Sequence, residues 1–309
     1  MSILNDLHAF CACIVRKYGR PDAASEEQKA EELRKIYLRG LPLELKTLKA
    51  LAVCCGIKVD ALESENMPRN LRGYHEIYEG NRNLYYKKGD TVSGIENTIL
   101  HEIREMMETT FAEICPSYEP LRTIARHTAA NKFATAVLLP REDFINKVYE
   151  TGLDVVELAK FYSKSCSQVL LRMGEVLQGR LFLFGALYER DAESHKLTLT
   201  YWTGSSNNDN PEANLYGADG LFPRKGATII PGSLVGMAIQ DKKPCFAPDI
   251  TLSDISEDDG LVAIARPLII SGELTKIALV VLLAQNRSLL EPQIERLKPL
   301  TQNGFYRHL

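Results

Sequence analysis

The sequence predicts an α+β protein with a mostly helical first part and a strand-rich last part. Three observations indicate this class. Apolar residues recur at helical intervals through most of the first 178 residues. Runs rich in β-branched and aromatic residues dominate after Gly179. A chain of 309 residues that is 45% hydrophobic is long enough for about two domains with apolar cores.

Residues 1–140 are expected to combine helices with a small sheet. Residues 1–56 contain "SEEQKAEELRKIYLRG" and "LPLELKTLKALAVCCGI", which have helical spacing and a helix stop at Gly56. Two extended runs then flank "EGNRN", which predicts a hairpin. One helix is expected from about Asn97 to a break at Cys115, and the next, "RTIARHTAANKFATAVLL", ends before Pro140.

Residues 141–178 form a helix-turn-helix-like segment of short helices. Six basic and six acidic residues lie between positions 141 and 180. A helix that binds in a DNA groove needs an excess of positive charge against the phosphates, so a structural or substrate-docking role is favoured. Contact with DNA stays open at this point.

Residues 179–309 contain predicted strands in "RLFLFGALYER", "HKLTLTYWTG" and "ARPLIISGELTKIALVVLLA", with a Gly/Asn/Pro-rich loop after the second. Tyr201, Trp202 and Cys245 are candidates for lining a pocket, although aromatic residues in strands are more often plain core.

Composition excludes several classes of protein. The formal charge of −3 and the pI of about 6.1 give no overall attraction to nucleic acid. Seven cysteines without C-x-x-C spacing predict reduced thiols. Neither an export signal nor an apolar run of about 18 residues is found, so we expect a cytoplasmic protein that does not enter the membrane.

The stretch "HEIREMMETT" at residues 101–110 predicts a metal site. His101 and Glu105 are four residues apart and share one face of a helix, and Glu102 lies beside them to activate water. A hydrolytic zinc ion needs a third protein ligand, and His127 on the next helix is the candidate. The alternative is a surface helix and a core histidine without metal.

The run that begins at His127, H-x-x-A-N-x-F-A-x-x-x-L-L-P, resembles the second signature of the ImmA/IrrE-type metallopeptidases. In that family a glutamate four residues before the Asn is the third zinc ligand, and H-E-x-x-H supplies the other two. Here His and Glu have exchanged places, at positions 127 and 105. The paired change indicates compensation, because a dead site would lose its ligands singly. The carboxylate at 105 also makes Mn²⁺ an alternative to Zn²⁺.

Two further features bear on this site. Cys115, in the loop between the two ligand-bearing helices, is a candidate inhibitory fourth metal ligand, or else an ordinary small apolar residue. A second H-E-x-x-E copy, His75 to Glu79, lies on a predicted strand. There its side chains alternate between faces, and we expect them to have no partner.

The last region, from "IIPGSLVGMAIQDKKPCFAPDI" onward, resembles a GAF domain, which implies a sensor that binds a small molecule or nucleic acid, or forms a homodimer. The resemblances together imply a helical zincin-like zinc endopeptidase with Glu102 as general base. They also imply a protein substrate, a helix-turn-helix transcriptional repressor cut in response to stress, DNA damage or phage. The alternative is a non-catalytic transcription regulator or sensor with a degenerate peptidase fold.

Overall fold

A computed structural model shows two compact units, Met1–Arg141 and Glu142–Leu309. The structure describes residues 6–41, 43–68, 71–191, 195–205, 229, 232–250, 260–298 and 301–302. Helices and strands both contribute substantially, so the predicted α+β class is confirmed. Nearly all of the Gly/Asn/Pro-rich loop predicted after Gly204 lies outside the described residues.

The first unit begins with three helices, α1 (Leu7–Tyr18), α2 (Glu26–Leu33) and α3 (Leu45–Cys54). Ser25 caps α2 through a reciprocal pair of hydrogen bonds with Gln28, which satisfies backbone donors that would otherwise be free. A single π-helical turn follows α2 and ends in a left-handed residue. The predicted helical character of this region is therefore confirmed.

A three-stranded sheet follows, built from β1 (Ile57–Leu62), β2 (Gly73–Tyr78) and β3 (Asn81–Lys87). The order is β1-β3-β2, with β1 parallel to β3 and β2 antiparallel to β3. The predicted hairpin is confirmed. Its turn is the pair Glu79-Gly80, both with positive φ, as a type I′ hairpin turn requires.

Two long helices complete the first unit, α4 (Val92–Ile114) and α5 (Thr123–Leu138). α4 begins five residues before the predicted start at Asn97. The Thr91 side chain caps the helix by accepting from the Gly94 amide at 3.1 Å. Most residues of α4 are buried, so this helix is the centre of the first unit.

A buried ion cluster fixes α4. The Arg104 side chain is only 1% exposed and donates to Glu26 of α2 at 2.6 and 2.8 Å and to Glu108 at 2.5 Å. Glu108 also accepts from the Tyr118 hydroxyl and the Leu121 amide, each at 2.8 Å. Burial raises the pKa of Glu26, but the hydrogen bonds and charge of Arg104 outweigh burial and hold its pKa below the usual range.

The second unit opens with α6 (Arg141–Thr151), α7 (Val155–Tyr162) and α8 (Cys166–Leu177). A left-handed Ser163 ends α7 and gives the tight turn expected of a helix-turn-helix-like pair. Ser165 caps α8 with Gln168 in a second reciprocal box.

Asp154 ties these helices to the rest of the second unit. Its side chain is fully buried, and one carboxylate oxygen caps α7 by accepting from the amides of Val156 and Glu157 at 3.1 Å. The other oxygen contacts Arg296 at 2.5 Å and also Arg266. A buried carboxylate is tolerated because charges and amide donors surround it.

A six-stranded sheet forms the body of the second unit, in the order β5-β4-β8-β7-β6-β9. The strands are β4 (Leu183–Arg190), β5 (Leu197–Ser205), β6 (Cys245–Ile250), β7 (Leu261–Ile270), β8 (Glu273–Leu283) and β9 (Thr301–Gln302). Among the strand pairs described for this sheet, only β6–β9 is parallel. The described residues also form two short helices beside it, α9 (Leu234–Asp241) and α10 (Glu291–Arg296).

The two faces of β4 contact different layers. Phe184 and Ala186 belong to a core that also contains Leu234 of α9, whereas Gly185 faces Leu170 of α8. This is the period-two alternation of a strand covered on both faces. Tyr201 and Trp202 are neighbours on β5 and point to opposite faces, so they do not line one pocket together.

α8 packs closely against the sheet, and its exposed side includes Leu171. A Cβ built on Gly174 would lie 1.9 Å from Thr203 Oγ1 and 3.0 Å from Thr203 Cβ. Most of α8 is buried, including Arg172, which was counted among the charges of this segment and is only 2% exposed.

In the described part of the chain, no helix is both long and apolar enough to cross a membrane.

Replacement of Gly174 by alanine is expected to destabilise the second unit by about 1–2 kcal/mol, because overpacking outweighs the helix propensity that alanine adds. Urea unfolding measures this change. In a Thr203→Ala background the penalty should fall to half or less, since the closest clashing atom is gone. A stabilised Gly174→Ala protein would contradict the close packing of α8.

The Glu26–Arg104 pair predicts a pH dependence. Because the pKa of Glu26 is lowered in the folded state, its contribution is full above its unfolded pKa of about 4.3 and is lost as the pH falls through the folded value. Glu26→Gln should lower the free energy of unfolding at pH 7 by about 3 kcal/mol and by much less near pH 3. Urea unfolding of the metal-free protein at both pH values measures this. An equal loss at the two values would contradict the ion pair.

Candidate metal centre

His101, Glu105 and His127, the three residues predicted to hold a metal, lie together in the structure. One potential ligand atom from each is within 4.8 Å of the other two. His101 Nε2 is 3.2 Å and His127 Nδ1 is 3.8 Å from Glu105 Oε1, and the two imidazole rings are 4.5 Å apart in an edge-on arrangement. Two residues come from one face of α4 and the third from the second turn of α5.

The orientation of His101 is fixed by a residue that the sequence reasoning did not single out. His101 Nδ1 is 3.1 Å from Asn131 Oδ1, one helical turn after His127 on α5. With the proton on Nδ1 donated to this amide oxygen, Nε2 presents its lone pair to the Glu105 carboxylate. Two electron-rich atoms 3.2 Å apart then need a proton or a metal ion between them.

The Glu105 carboxylate lies beside two basic side chains of the first unit, His101 and Arg126. When no metal ion lies between them, a proton on His101 Nε2 donated to Glu105 holds the pKa of Glu105 below its usual range, against the effect of partial burial, and the Arg126 guanidinium adds to the lowering. Arg126 Nε is 3.6 Å from Glu105 Oε2. Glu105 is therefore ionised at neutral pH and ready to act as a ligand.

The donor set fits a zinc ion. Zinc accepts imidazole nitrogen and carboxylate oxygen, and its tetrahedral geometry, with bonds of about 2.0–2.1 Å, separates ligand atoms by about 3.4 Å. The distances of 3.2 and 3.8 Å at Glu105 bracket that value. The His127 side chain is 64% exposed, so the centre is open to solvent on that side.

Glu102 lies beside this group and contacts His75. Its carboxylate Oε2 is 2.6 Å from His75 Nδ1 on β2. Potential ligand atoms of His75, Glu102 and Glu105 also lie within 4.8 Å of one another, so the two clusters share Glu105. The expectation that His75 has no partner was therefore wrong. β2 lies against α4, and this nonlocal pairing leaves no signal in the spacing of the residues.

Cys115 is not among the residues that could share a metal ion in the described part of the chain. It follows the end of α4, ten residues after Glu105, which corresponds to about 15 Å along a helix. Its sulfur is 3.5 Å from Ser117 Oγ. Inhibitory coordination by this thiol stays a prediction, and it would require a different conformation of the loop.

The fold and this cluster define an α+β protein with a candidate metal centre in its first unit. A scan of protein-family models finds no match, and a search of the curated proteins finds no significant one. Among solved structures, a chain described as a Mycobacterium tuberculosis transcriptional regulator is similar. The match has 12% sequence identity and a TM-score of 0.55, and covers 96% of this chain and 89% of that one. At this identity the similarity concerns the fold alone.

The geometry predicts that purified protein binds about one zinc ion per chain, with the two histidines and Glu105 as ligands. Glu105→Ala and His127→Ala should each weaken zinc binding by more than the roughly 10–100-fold that loss of an outer partner costs. Plasma mass spectrometry and competition with a chromophoric chelator measure content and affinity.

His8→Ala is the matched control, because His8 is an exposed histidine on α1 outside the cluster. Zinc binding that is unchanged in Glu105→Ala and His127→Ala would remove these residues from the ligand set.

Proposed function

We propose that the chain is a metal-dependent endopeptidase whose catalytic centre is His101, Glu105 and His127, with Glu102 as general base. The observation that carries this proposal is the convergence of two imidazoles and one carboxylate from two helices, with an additional carboxylate beside them. Three protein ligands and an open side are the arrangement of hydrolytic zinc sites, whereas structural zinc sites are closed by four.

The residues divide the chemistry between them. A bound zinc ion would supply Lewis acidity that polarises the scissile carbonyl and activates water. Glu102 accepts a proton from the attacking water and passes it to the leaving amine. Asn131 holds the His101 ring so that Nε2 faces the cluster, and Arg126 offsets the negative charge of Glu105.

The substrate class rests on the resemblance to the ImmA/IrrE peptidases, which implies a helix-turn-helix transcriptional repressor as the protein that is cut. The zincin-like description of the first unit has the same basis. For the second unit, the six-stranded sheet covered by α8 on one face and α9 on the other supports a GAF-like sensor. Such a unit would bind a small-molecule or nucleic-acid activator or form a homodimer.

The second candidate function is a non-catalytic transcription regulator. It is supported by the structural neighbour, which is described as a transcriptional regulator. It is opposed by α8, the helix that would have to enter a DNA groove, because most of its residues are buried against the sheet of the second unit. We therefore favour the peptidase.

Glu102→Gln is expected to abolish cleavage, with a loss of at least about 100-fold, because general-base catalysis contributes about 10²–10⁴-fold. Zinc content should stay near that of the parent, since Glu102 is not one of the three ligands. The assay follows a set of helix-turn-helix repressors from the same genome by intact-protein mass spectrometry.

Glu113→Gln, a change near the end of α4 and outside both clusters, is the matched control. Cleavage that persists in Glu102→Gln would remove Glu102 from the mechanism. A parent protein that binds zinc and cuts no repressor, yet binds an operator duplex specifically, would support the regulator instead.

A further inference from the structure

Strand β2 lies unusually close to α4. A Cβ built on Gly73 would be 2.3 Å from Thr98 Cγ2 of α4 and 2.6 Å from the Tyr85 carbonyl oxygen of β3. Only glycine fits at this position without displacement of a neighbour. The first residue of β2 is therefore fixed directly against the second turn of α4.

Beyond Gly73, the spacing of residues along β2 matches the spacing of residues along α4. Two strand residues span about 6.6 Å and four helix residues about 6.0 Å, so contacts two apart on β2 meet positions four apart on α4. Gly73 faces Thr98, and the next residue on the same face, His75, faces Glu102. The close approach at Gly73 thus determines which side chain reaches the proposed base.

The contact between His75 and Glu102 is short and partly sheltered. The distance from Nδ1 to Oε2 is 2.6 Å, and the side chains are 21% and 10% exposed. A hydrogen bond to an ionised acceptor is about twice as strong as one between neutral groups. A free glutamate has three rotatable side-chain bonds, so one fixed hydrogen bond removes much of its freedom.

We propose that His75 is a positioning residue that holds the Glu102 carboxylate toward the metal cluster. The inference rests on the proposed function and deepens it. His75 and Glu102 also meet the distance criterion for a second metal site that shares Glu105. The Arg126 guanidinium, 3.6 Å from Glu105 Oε2, opposes a second cation there. The positioning role is therefore favoured over a two-metal centre.

The first test measures the contact itself, without catalysis. Urea unfolding midpoints of the metal-free parent, His75→Leu, Glu102→Met and the double variant form a cycle. We expect His75→Leu to lower the midpoint in the parent and to shift it much less when Glu102 is already methionine. Equal shifts in the two backgrounds would overturn the inference, whether or not the protein is a peptidase.

The second test separates positioning from general damage. In repressor cleavage, His75→Leu should reduce kcat by roughly 10- to 100-fold with KM and zinc content unchanged. His75→Asn, whose amide can donate from nearly the same position, should recover most of the activity. Glu76→Gln, on the opposite face of β2, is the matched control and should behave like the parent.

The outcomes separate the two proposals. Full activity in His75→Leu would overturn the positioning role and leave the peptidase intact. Two zinc ions in the parent, with one lost in His75→Leu, would overturn it in favour of metal ligation. If no variant and no parent protein cuts a repressor, the proposed function fails, and the unfolding cycle still decides whether His75 holds Glu102.

Discussion

The neutralisation of Arg104 is the constraint on which the first unit depends. A guanidinium buried this deeply is stable only if carboxylates meet it, and Glu26 and Glu108 do so. Because successive helix residues are about 100° apart, fixing Arg104 fixes the rotation of α4. His101 and Glu105 then face α5, and Glu102 faces β2. Arg104 is outside the metal cluster, yet it thus sets the direction in which the α4 residues of the site point.

Local sequence patterns were sufficient to predict the two long helices of the first unit and the three residues of the metal cluster. Helical spacing located α4 and α5, the four-residue interval put His101 and Glu105 on one face, and the motif around His127 supplied the third member. The start of α4 was misplaced because Ser93 and Gly94 are typical turn residues, although Thr91 caps the helix ahead of them. The α+β class followed from the change of pattern after Gly179.

Contacts between residues far apart in the sequence could not be predicted from local patterns. His75 is 27 residues from Glu102, and their pairing depends on the order β1-β3-β2, which spacing does not encode. Asn131 was visible as a letter of the motif, yet its partner His101 lies on another helix. In the second unit, the sequence predicted a helix pair with balanced charge. It did not predict the burial of α8, because that burial depends on where the sheet lies.

Gly73 illustrates how a residue without a side chain can control a site. It is not one of the proposed ligands, and its missing side chain leaves the space that Thr98 and the Tyr85 carbonyl oxygen occupy. In a saturation mutagenesis screen scored by activity, every substitution here would separate β2 from α4, and the position would score like a member of the active site. Intolerance to mutation at this position would therefore reflect an interatomic distance and carry no information about chemistry.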